Sequence, residues 1–144
     1  MAITIHPRPG QILFCDFSKG FKKPEMVKEG RPVIILTGAI KGRSGLVTIA
    51  PLSTVEPNPT QLYHYKLPKQ SLPMLDFFQR SDSWIKGDML YTVGFQRLNL
   101  IRLGTKTPEG KRKYFTNALS KDQMKIIYEC ILHGLNLGKL SQYL

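Results

Sequence analysis

Short apolar runs separated by glycine and proline occupy most of the first hundred residues, and they restrict the possible folds more than any other feature of this sequence. Residues 11–17 alternate between apolar and polar positions, whereas 31–37 and 46–50 are almost continuously apolar and rich in β-branched side chains. Alternation is typical of a strand with one buried face, and a continuous apolar run is typical of a strand buried on both faces. The sequence therefore predicts a mainly β domain with a central strand over 31–37.

The remaining sequence adds further strands and then one helix. Strand-like patterns recur over 61–67, 83–93, 99–103 and 114–116. From Ser120 the apolar period changes from 2 to 3.6, and Ser120 and Gln123 stand at the spacing of a capping box. Apolar residues then recur on one helical face, at Met124, Ile127, Ile131 and Leu135. We expect a small barrel or sandwich of the α+β class with a C-terminal helix over 120–140 that weakens near Asn136, where two glycines lie close by.

The length of 144 residues suits one domain with a real core, so we interpret 1–144 as a single domain. Residues 1–10 form an N-terminal arm ended by prolines and a glycine. Two connections, 18–30 and 68–82, are longer than a tight hairpin requires, and the first carries four lysines. A charged run is by default a solvated loop, but a long loop beside a site is often a substrate lid or binding arm.

The balance of charge points to a polyanionic partner. Lysine and arginine total 21 against 10 acidic residues, a net charge of +11. Such an excess favours nucleic acid, although charge alone does not separate RNA from DNA, an acidic protein or a membrane surface. The N-terminus lacks the pattern of a secretory signal, and no apolar run approaches the roughly 20 residues of a membrane span. We therefore expect a cytoplasmic protein that does not enter the membrane, with Cys15 and Cys130 as buried free thiols.

The sequence contains none of the familiar motifs for binding a cofactor or a metal. It contains no Gly-rich phosphate loop, no dinucleotide fingerprint and no cysteine or histidine pair at metal-ligand spacing. The three histidines, His6, His64 and His133, are scattered over an arm, a strand and a helix. We predict that the protein uses no metal and no cofactor.

Polar residues instead stand at the ends of two neighbouring strands. Arg31 begins the second predicted strand, and Ser53 and Thr54 follow the third. An arginine offers a permanent forked charge and a serine offers a positioned hydrogen bond, so the two would converge on one phosphate if these strands pair. This arrangement predicts a site for phosphodiester chemistry.

Three ordered motifs resemble the N-terminal half of PemK/MazF toxins, the endoribonucleases of type II toxin-antitoxin systems. They are PGQILFCDF at 9–17, GRPVIIL at 30–36 and APLST at 50–54. The segments SWIK at 83–86 and FQRL at 95–98 resemble later parts of the same family. The resemblance implies a small SH3-like barrel of antiparallel strands with a C-terminal α-helix. It also implies a homodimer that is neutralised by a cognate antitoxin.

The resemblance further implies an activity and its residues. Members cut single-stranded RNA without a metal, by attack of the ribose 2'-hydroxyl on the adjacent phosphate, leaving a cyclic phosphate and a free 5'-hydroxyl. The family's catalytic arginine corresponds to Arg31 and its catalytic threonine to Ser53, with Thr54 as a neighbouring substitute. An acidic residue of the preceding loop corresponds to Glu25, or alternatively to Glu29.

Basic residues near these strands are candidates for holding the RNA backbone. They are Lys22, Lys23, Lys28, Lys41, Arg43 and Arg97. Lysines that follow phosphates give affinity without sequence information. Two other functions stay open from the sequence alone, a CcdB-like poison of DNA gyrase and an RNA-binding relative without catalysis, because fold does not dictate function and Ser53 replaces the expected threonine.

Overall fold

The computed structural model describes residues 2–25 and 28–144. In chain order the strands are β1 Ile12–Asp16, β2 Gly30–Ile35, β3 Leu46–Ser53, β4 His64–Lys66, β5 Trp84–Lys86, β6 Tyr91–Gly94, β7 Leu98–Asn99, β8 Ile101–Lys106 and β9 Arg112–Phe115. The helices are α1 Asp76–Arg80 and α2 Lys121–Gly134, with short 3-10 helices at Lys69–Ser71, Phe95–Arg97 and Gly138–Tyr143. The prediction of a mainly antiparallel β fold with a C-terminal helix is confirmed.

Strand β3 is the centre of the sheet. It pairs with β2 on one side, and on the other side its first half pairs with β6 and its second half with β5. The sheet continues through β2 to β1 and β7, and through β5 to β4. In the part of the chain that the structure describes, these pairings do not close into a barrel. The expected SH3-like barrel is thus an open sheet, ended by strands of two and three residues that offer few ladder hydrogen bonds.

The core lies on both faces of this sheet. One cluster contains Ile12, Ile34 and Leu52 and packs against the inner face of α2, whose buried residues are Met124, Ile127, Cys130 and Ile131. The other cluster covers the opposite face and contains Leu13, Cys15, Val33, Ile35, Val47, Ile49, Val93 and Leu98. Neighbouring residues of β2 belong to different clusters, which confirms that this strand is buried on both faces. Cys15 and Cys130 are buried free thiols.

The C-terminal segment begins as expected and ends earlier. The Ser120 side chain accepts a hydrogen bond from the Gln123 backbone N–H at 3.1 Å, and the Gln123 side chain accepts one from the Ser120 N–H at 2.9 Å. Helix α2 stops at Gly134, and Asn136 adopts a left-handed φ of 61° before the final 3-10 helix. No helix of the described residues is long and apolar enough to cross a membrane.

The 68–82 connection differs from the long loop that we expected. It contains the 3-10 helix Lys69–Ser71 and helix α1. Phe78 of α1 is 3% exposed and belongs to the core cluster beneath α2. Burial of this aromatic ring stabilises a helix that is too short to form on propensity alone.

Candidate active site

The two polar residues predicted to share a phosphate project from one face of the sheet. Strands β2 and β3 pair with Val33 opposite Pro51. Side chains alternate along a strand, so Arg31 projects on the same side as Val33, and Ser53 on the same side as Pro51. Directly opposed residues project from the same face of a sheet. The guanidinium and the hydroxyl therefore share one face.

Strand β5 extends this face by one strand. Ser53 pairs with Trp84, and Leu52 pairs with Ile85. Since side chains alternate along a strand, Pro51 and Ser53 project on the same side as Trp84 and Lys86. A second cation, from a distant part of the sequence, is thereby brought to the Arg31 face.

A pocket of about 200 Å³ lies on this face. The strands contribute Arg31, Pro51, Ser53 and Lys86; the β1–β2 connection contributes Glu25 and Lys28; and the turn between β5 and β6 contributes Met89. Four of these residues, Glu25, Lys28, Arg31 and Ser53, were predicted as site residues. With three cations and one carboxylate, the pocket suits an anion.

Arg31 is half-buried at the start of β2. Its Nη1 atom donates to the Leu52 carbonyl oxygen at 3.2 Å, and burial lowers the pKa of its guanidinium from the ordinary value. The described residues contain two ion pairs, Lys69–Asp82 and Arg80–Asp76, and neither includes Arg31. Its charge is therefore not neutralised by a carboxylate of the described chain and is available to a ligand.

Ser53 ends β3 and is 8% exposed. Its hydroxyl oxygen accepts a hydrogen bond from the Val55 backbone N–H at 3.1 Å. A serine hydroxyl has one donor hydrogen and two acceptor lone pairs, so this bond fixes the oxygen while its hydrogen is left to donate. The hydrogen bond from Val55 thus restrains the Ser53 oxygen, which lacks the methyl group that restricts the rotation of a threonine side chain.

Glu25 is oriented by its own loop. Its Oε2 atom accepts a hydrogen bond from the Lys22 backbone N–H at 3.0 Å. A carboxylate has two oxygens and about four acceptor positions, so this bond leaves acceptor capacity at the pocket. Glu25 is the carboxylate that lines the pocket among the described residues.

Other predicted residues lie outside the pocket lining. Thr54 is exposed just beyond the end of β3, and Lys22 and Lys23 are exposed on the β1–β2 connection. Lys41 is exposed in the turn between β2 and β3. Contact of these residues with RNA stays a prediction.

Arg43 and Arg97 make contacts that hold the protein together. The Nη2 atom of Arg43 donates to the hydroxyls of Thr37 and Thr48, each at 3.2 Å. Arg97 donates to three carbonyl oxygens at the start of the β1–β2 connection, those of Asp16 at 2.8 Å, Ser18 at 2.9 Å and Lys19 at 3.1 Å. Its guanidinium also lies 5.2 Å from the centre of the Phe21 ring. Arg97 therefore anchors the connection that carries Glu25 and Lys28.

Sequence reasoning missed Lys86 and Met89 as pocket residues. Lys86 stands two positions after Trp84, so alternation alone puts the two on one face. Nothing local indicates that β5 pairs with β3. His64 lies opposite Lys86 in the β4–β5 pair, and burial is the main cause that lowers its pKa. Its Nδ1 accepts from the Gln61 backbone N–H at 2.9 Å, so the neutral ring carries its proton on Nε2.

The described residues contain no cluster of three or more histidine, cysteine, aspartate or glutamate side chains placed to hold a metal ion. The groups that the pocket offers to a ligand are three cations, one hydroxyl and one carboxylate. Such a set acts by charge stabilisation and proton transfer.

Comparison of the sequence with known proteins identifies its family. Residues 8–134 match the family described as PemK-like, MazF-like toxin of type II toxin-antitoxin system. The chain is 28% identical over 153 residues to the uncharacterised protein YifN of Escherichia coli (strain K12), covering 94% of this chain and 96% of the relative. An uncharacterised Haemophilus influenzae protein is also 28% identical over 153 residues, covering 97% of this chain and 98% of that protein.

Solved structures share the fold at low sequence identity. A mycobacterial endoribonuclease in complex with its cognate antitoxin superposes with a TM-score of 0.59 at 18% identity, over 91% of this chain and 96% of that one. MazF of Deinococcus radiodurans gives a TM-score of 0.59 at 13% identity, over 92% and 99% of the two chains. These similarities establish the fold alone.

Proposed function

This chain belongs to the family of PemK-like and MazF-like toxins of type II toxin-antitoxin systems, and on that premise we propose that it is an endoribonuclease that cleaves single-stranded RNA. The observation that carries the proposal is the pocket that joins Arg31 and Ser53 with Glu25, Lys28 and Lys86. These groups fit a phosphodiester better than a neutral metabolite, because three cations line the pocket together with one hydroxyl and one carboxylate. A pocket of about 200 Å³ suits one phosphodiester group rather than a base-paired segment.

Arg31 and Ser53 stabilise the negative charge that develops on the phosphoryl oxygens. Attack on a phosphodiester increases the charge on its non-bridging oxygens, and a preorganised donor aimed at such an oxygen is worth about 3 to 4 kcal/mol. Arg31 supplies a forked charge held against the Leu52 carbonyl. Ser53 donates its hydroxyl hydrogen while its oxygen is held by the Val55 N–H. An arginine remains protonated at neutral pH, so its role is electrostatic rather than that of a general acid.

Glu25 is the general base of this proposal. Its carboxylate takes the proton of the ribose 2'-hydroxyl, and the 2'-oxygen forms a new bond to phosphorus. The bond between phosphorus and the 5'-oxygen breaks, and the leaving oxygen takes a proton from water. The hydroxide that remains takes the proton from Glu25, which restores its carboxylate. The products are a 2',3'-cyclic phosphate and a 5'-hydroxyl, with no metal required in either step.

Lys28 and Lys86 hold the substrate backbone. Both line the pocket beside Arg31, so they attract the phosphate before chemistry begins.

The proposed biological setting is the cytoplasm, where the protein acts as a homodimer. Its antitoxin inhibits it by laying an acidic or apolar segment over the RNA-binding surface, since a net charge of +11 attracts acidic partners.

The test is incubation of the purified protein with single-stranded RNA in EDTA, followed by mapping of both product ends. We expect cleavage that leaves cyclic phosphate and 5'-hydroxyl ends and that is abolished in Arg31→Ala. The matched control is Arg80→Ala, which removes an exposed arginine from helix α1 and should cleave like the wild type. Absence of cleavage, or equal cleavage by Arg31→Ala, would refute the proposal. Gyrase-dependent DNA breaks without RNA cleavage would instead identify a gyrase poison.

A further inference from the structure

The hairpin formed by β8 and β9 carries a concentration of positive charge that the pocket does not use. Over residues 101–115 the chain has five cations, Arg102, Lys106, Lys111, Arg112 and Lys113, and one acid, Glu109. Neither ion pair of the described residues includes any of them. The hairpin is therefore a strongly basic surface whose cations take part in neither of these ion pairs.

Two of these cations oppose each other across the hairpin. Lys106 pairs directly with Arg112, and the register shifts between Arg102 and Lys106 because of an irregularity in β8. Like charges directly opposite in a pair of strands are destabilising. An anion bound between the two side chains would remove this repulsion.

A concave site lies at the same place. A cavity of about 220 Å³ is lined by Arg102, Gly104, Thr105, Lys106, Arg112 and Lys113. Gly104 has a φ of +77°, and beyond its two chain neighbours no atom lies within 4 Å of the position where its Cβ would be. The backbone there is open to a ligand. None of these residues lines the Arg31 pocket.

The hairpin is held firmly enough to present its charges. At its root, Ile101 and Phe115 are buried in the core cluster beneath α2. At its tip, the Thr107 backbone N–H donates to the Lys111 carbonyl at 2.7 Å, and the Lys111 N–H donates to the Thr107 hydroxyl at 3.1 Å. The cations between root and tip are thus carried on a restrained two-stranded element.

We propose that the β8–β9 hairpin is a second RNA-binding site, which holds the phosphate backbone of the substrate away from the cleaved bond. Five cations along one hairpin match a linear polyanion better than a single small anion. Arginines contribute forked donors for phosphate, and lysines contribute point charges. The inference rests on the proposed function, since it extends the contact of the same substrate beyond the Arg31 pocket.

The test compares two triple variants that remove equal charge. The hairpin variant is Lys106→Gln, Arg112→Gln and Lys113→Gln, and the control is Lys121→Gln, Lys125→Gln and Lys139→Gln, which are exposed positions in the C-terminal segment. Binding of single-stranded polyuridylate is measured by fluorescence anisotropy over a range of salt concentrations. Loss of three phosphate contacts reduces the slope of log affinity against log salt by about 2, and affinity at low salt falls roughly tenfold or more.

The control variant should keep most of the wild-type slope. An equal reduction in both variants, or no reduction in the hairpin variant, would overturn the inference. Binding of polyglutamate is measured in the same way. If the hairpin variant loses polyglutamate binding while its RNA binding is intact, the inference is overturned in favour of an acidic protein partner. Thermal unfolding gives a second readout, because relief of the Lys106–Arg112 repulsion should keep or raise the Tm of the hairpin variant.

Cleavage of the same RNA is measured separately, so the two proposals fail independently. A wild-type protein that binds RNA through the hairpin and does not cut it refutes the endoribonuclease proposal while supporting the hairpin. A wild-type protein that cuts RNA, with an unchanged salt slope in the hairpin variant, refutes the hairpin site alone.

Discussion

The Nη1 atom of Arg31 donates to the carbonyl oxygen of Leu52 at 3.2 Å, so the guanidinium of β2 is fixed to β3 at the residue that precedes Ser53. An arginine has five N–H donors, and this bond uses one of them. The others are left to a ligand, and the bond restrains where they point. The cross-strand contact therefore holds the guanidinium of Arg31 against the strand that carries Ser53.

Replacement of Arg31 by lysine tests this preorganisation. Arg31→Lys keeps the charge but loses the planar fork that binds the Leu52 carbonyl and a phosphate together. We expect kcat to fall about 10²- to 10³-fold, the usual effect of removing one transition-state donor. Single-turnover RNA cleavage measures the rate, and the circular dichroism spectrum should be unchanged. A rate within about threefold of the wild type would mean that charge alone suffices.

Substitution of Ser53 separates the hydroxyl from its restraint. Ser53→Ala should lower kcat about 10²-fold or more, and loss of the bond to the Val55 N–H should cost about 1 kcal/mol of stability. Ser53→Thr keeps the hydroxyl and restricts its rotation, so it should cleave at least as fast as the wild type. Ser81→Ala, an exposed serine after α1, is the control for kinetics and Tm. Equal rates for wild type and Ser53→Ala would remove Ser53 from the mechanism.

Glu25→Gln tests the general base. The amide keeps the size of the side chain and an oxygen for the Lys22 N–H, but it cannot accept the 2'-hydroxyl proton. General base catalysis contributes about 10²- to 10⁴-fold, so kcat should fall by that range while RNA binding persists. Glu29→Gln is the matched control on the same connection. Comparison of the two variants shows which of the two acids is the general base. A larger loss in Glu29→Gln would transfer the role to Glu29.

Arg97→Lys tests the anchoring of the β1–β2 connection. Lysine cannot reproduce three bonds to the carbonyls of Asp16, Ser18 and Lys19 from a rigid fork. We expect faster trypsin cleavage after Lys22, together with a loss of about tenfold in kcat/KM as the Glu25 and Lys28 positions spread. Arg43→Lys, whose arginine bonds to two threonines elsewhere, is the control. Unchanged trypsin sensitivity in Arg97→Lys would argue against anchoring.

The two thiols give a prediction about pH. Burial raises the pKa of Cys15 from 9.0 to about 12 and that of Cys130 from 9.0 to about 11. A pKa that is higher in the folded state favours folding below the unfolded value and loses that contribution as pH rises from about 9 toward 11 and 12. Stability to urea should thus decline above pH 9. At pH 8 a thiol reagent should react slowly until denaturant is added.

The Cys15→Ala variant is the control for the alkaline decline. It should show a weaker loss of stability above pH 9 than the wild type, because one of the two buried thiols is gone. Rapid reaction of both thiols at pH 8 without denaturant would contradict their burial.

The course of the chain could largely be predicted because strands and helices leave local periodic signals. The alternation at residues 11–17 and the continuous apolar run before Thr37 became β1 and β2, and the capping box at Ser120 formed as expected. Arg31 and Ser53 were recognisable because each adjoins such a run. Helix α1 was not predicted, since its stability comes from Phe78 in the core rather than from a local pattern.

Arg97 illustrates the limit of this reasoning. Its basic character predicted an RNA contact, and that contact stays a prediction. Its carbonyl partners lie 78 to 81 residues earlier in the sequence. No local pattern indicates whether a guanidinium will face solvent or backbone, because that depends on which segments the fold brings together.

The sequence by itself determined the family, the α+β class and the strand-end positions of Arg31 and Ser53, because these depend on residue type and short-range spacing. The tertiary structure alone decided that Lys86 joins their pocket, that Glu25 and Lys28 reach it from a connection anchored by Arg97, and that Lys106 opposes Arg112. These arrangements depend on strand register and on long-range hydrogen bonds. Both are collective outcomes of packing a whole sheet, and no single segment encodes them.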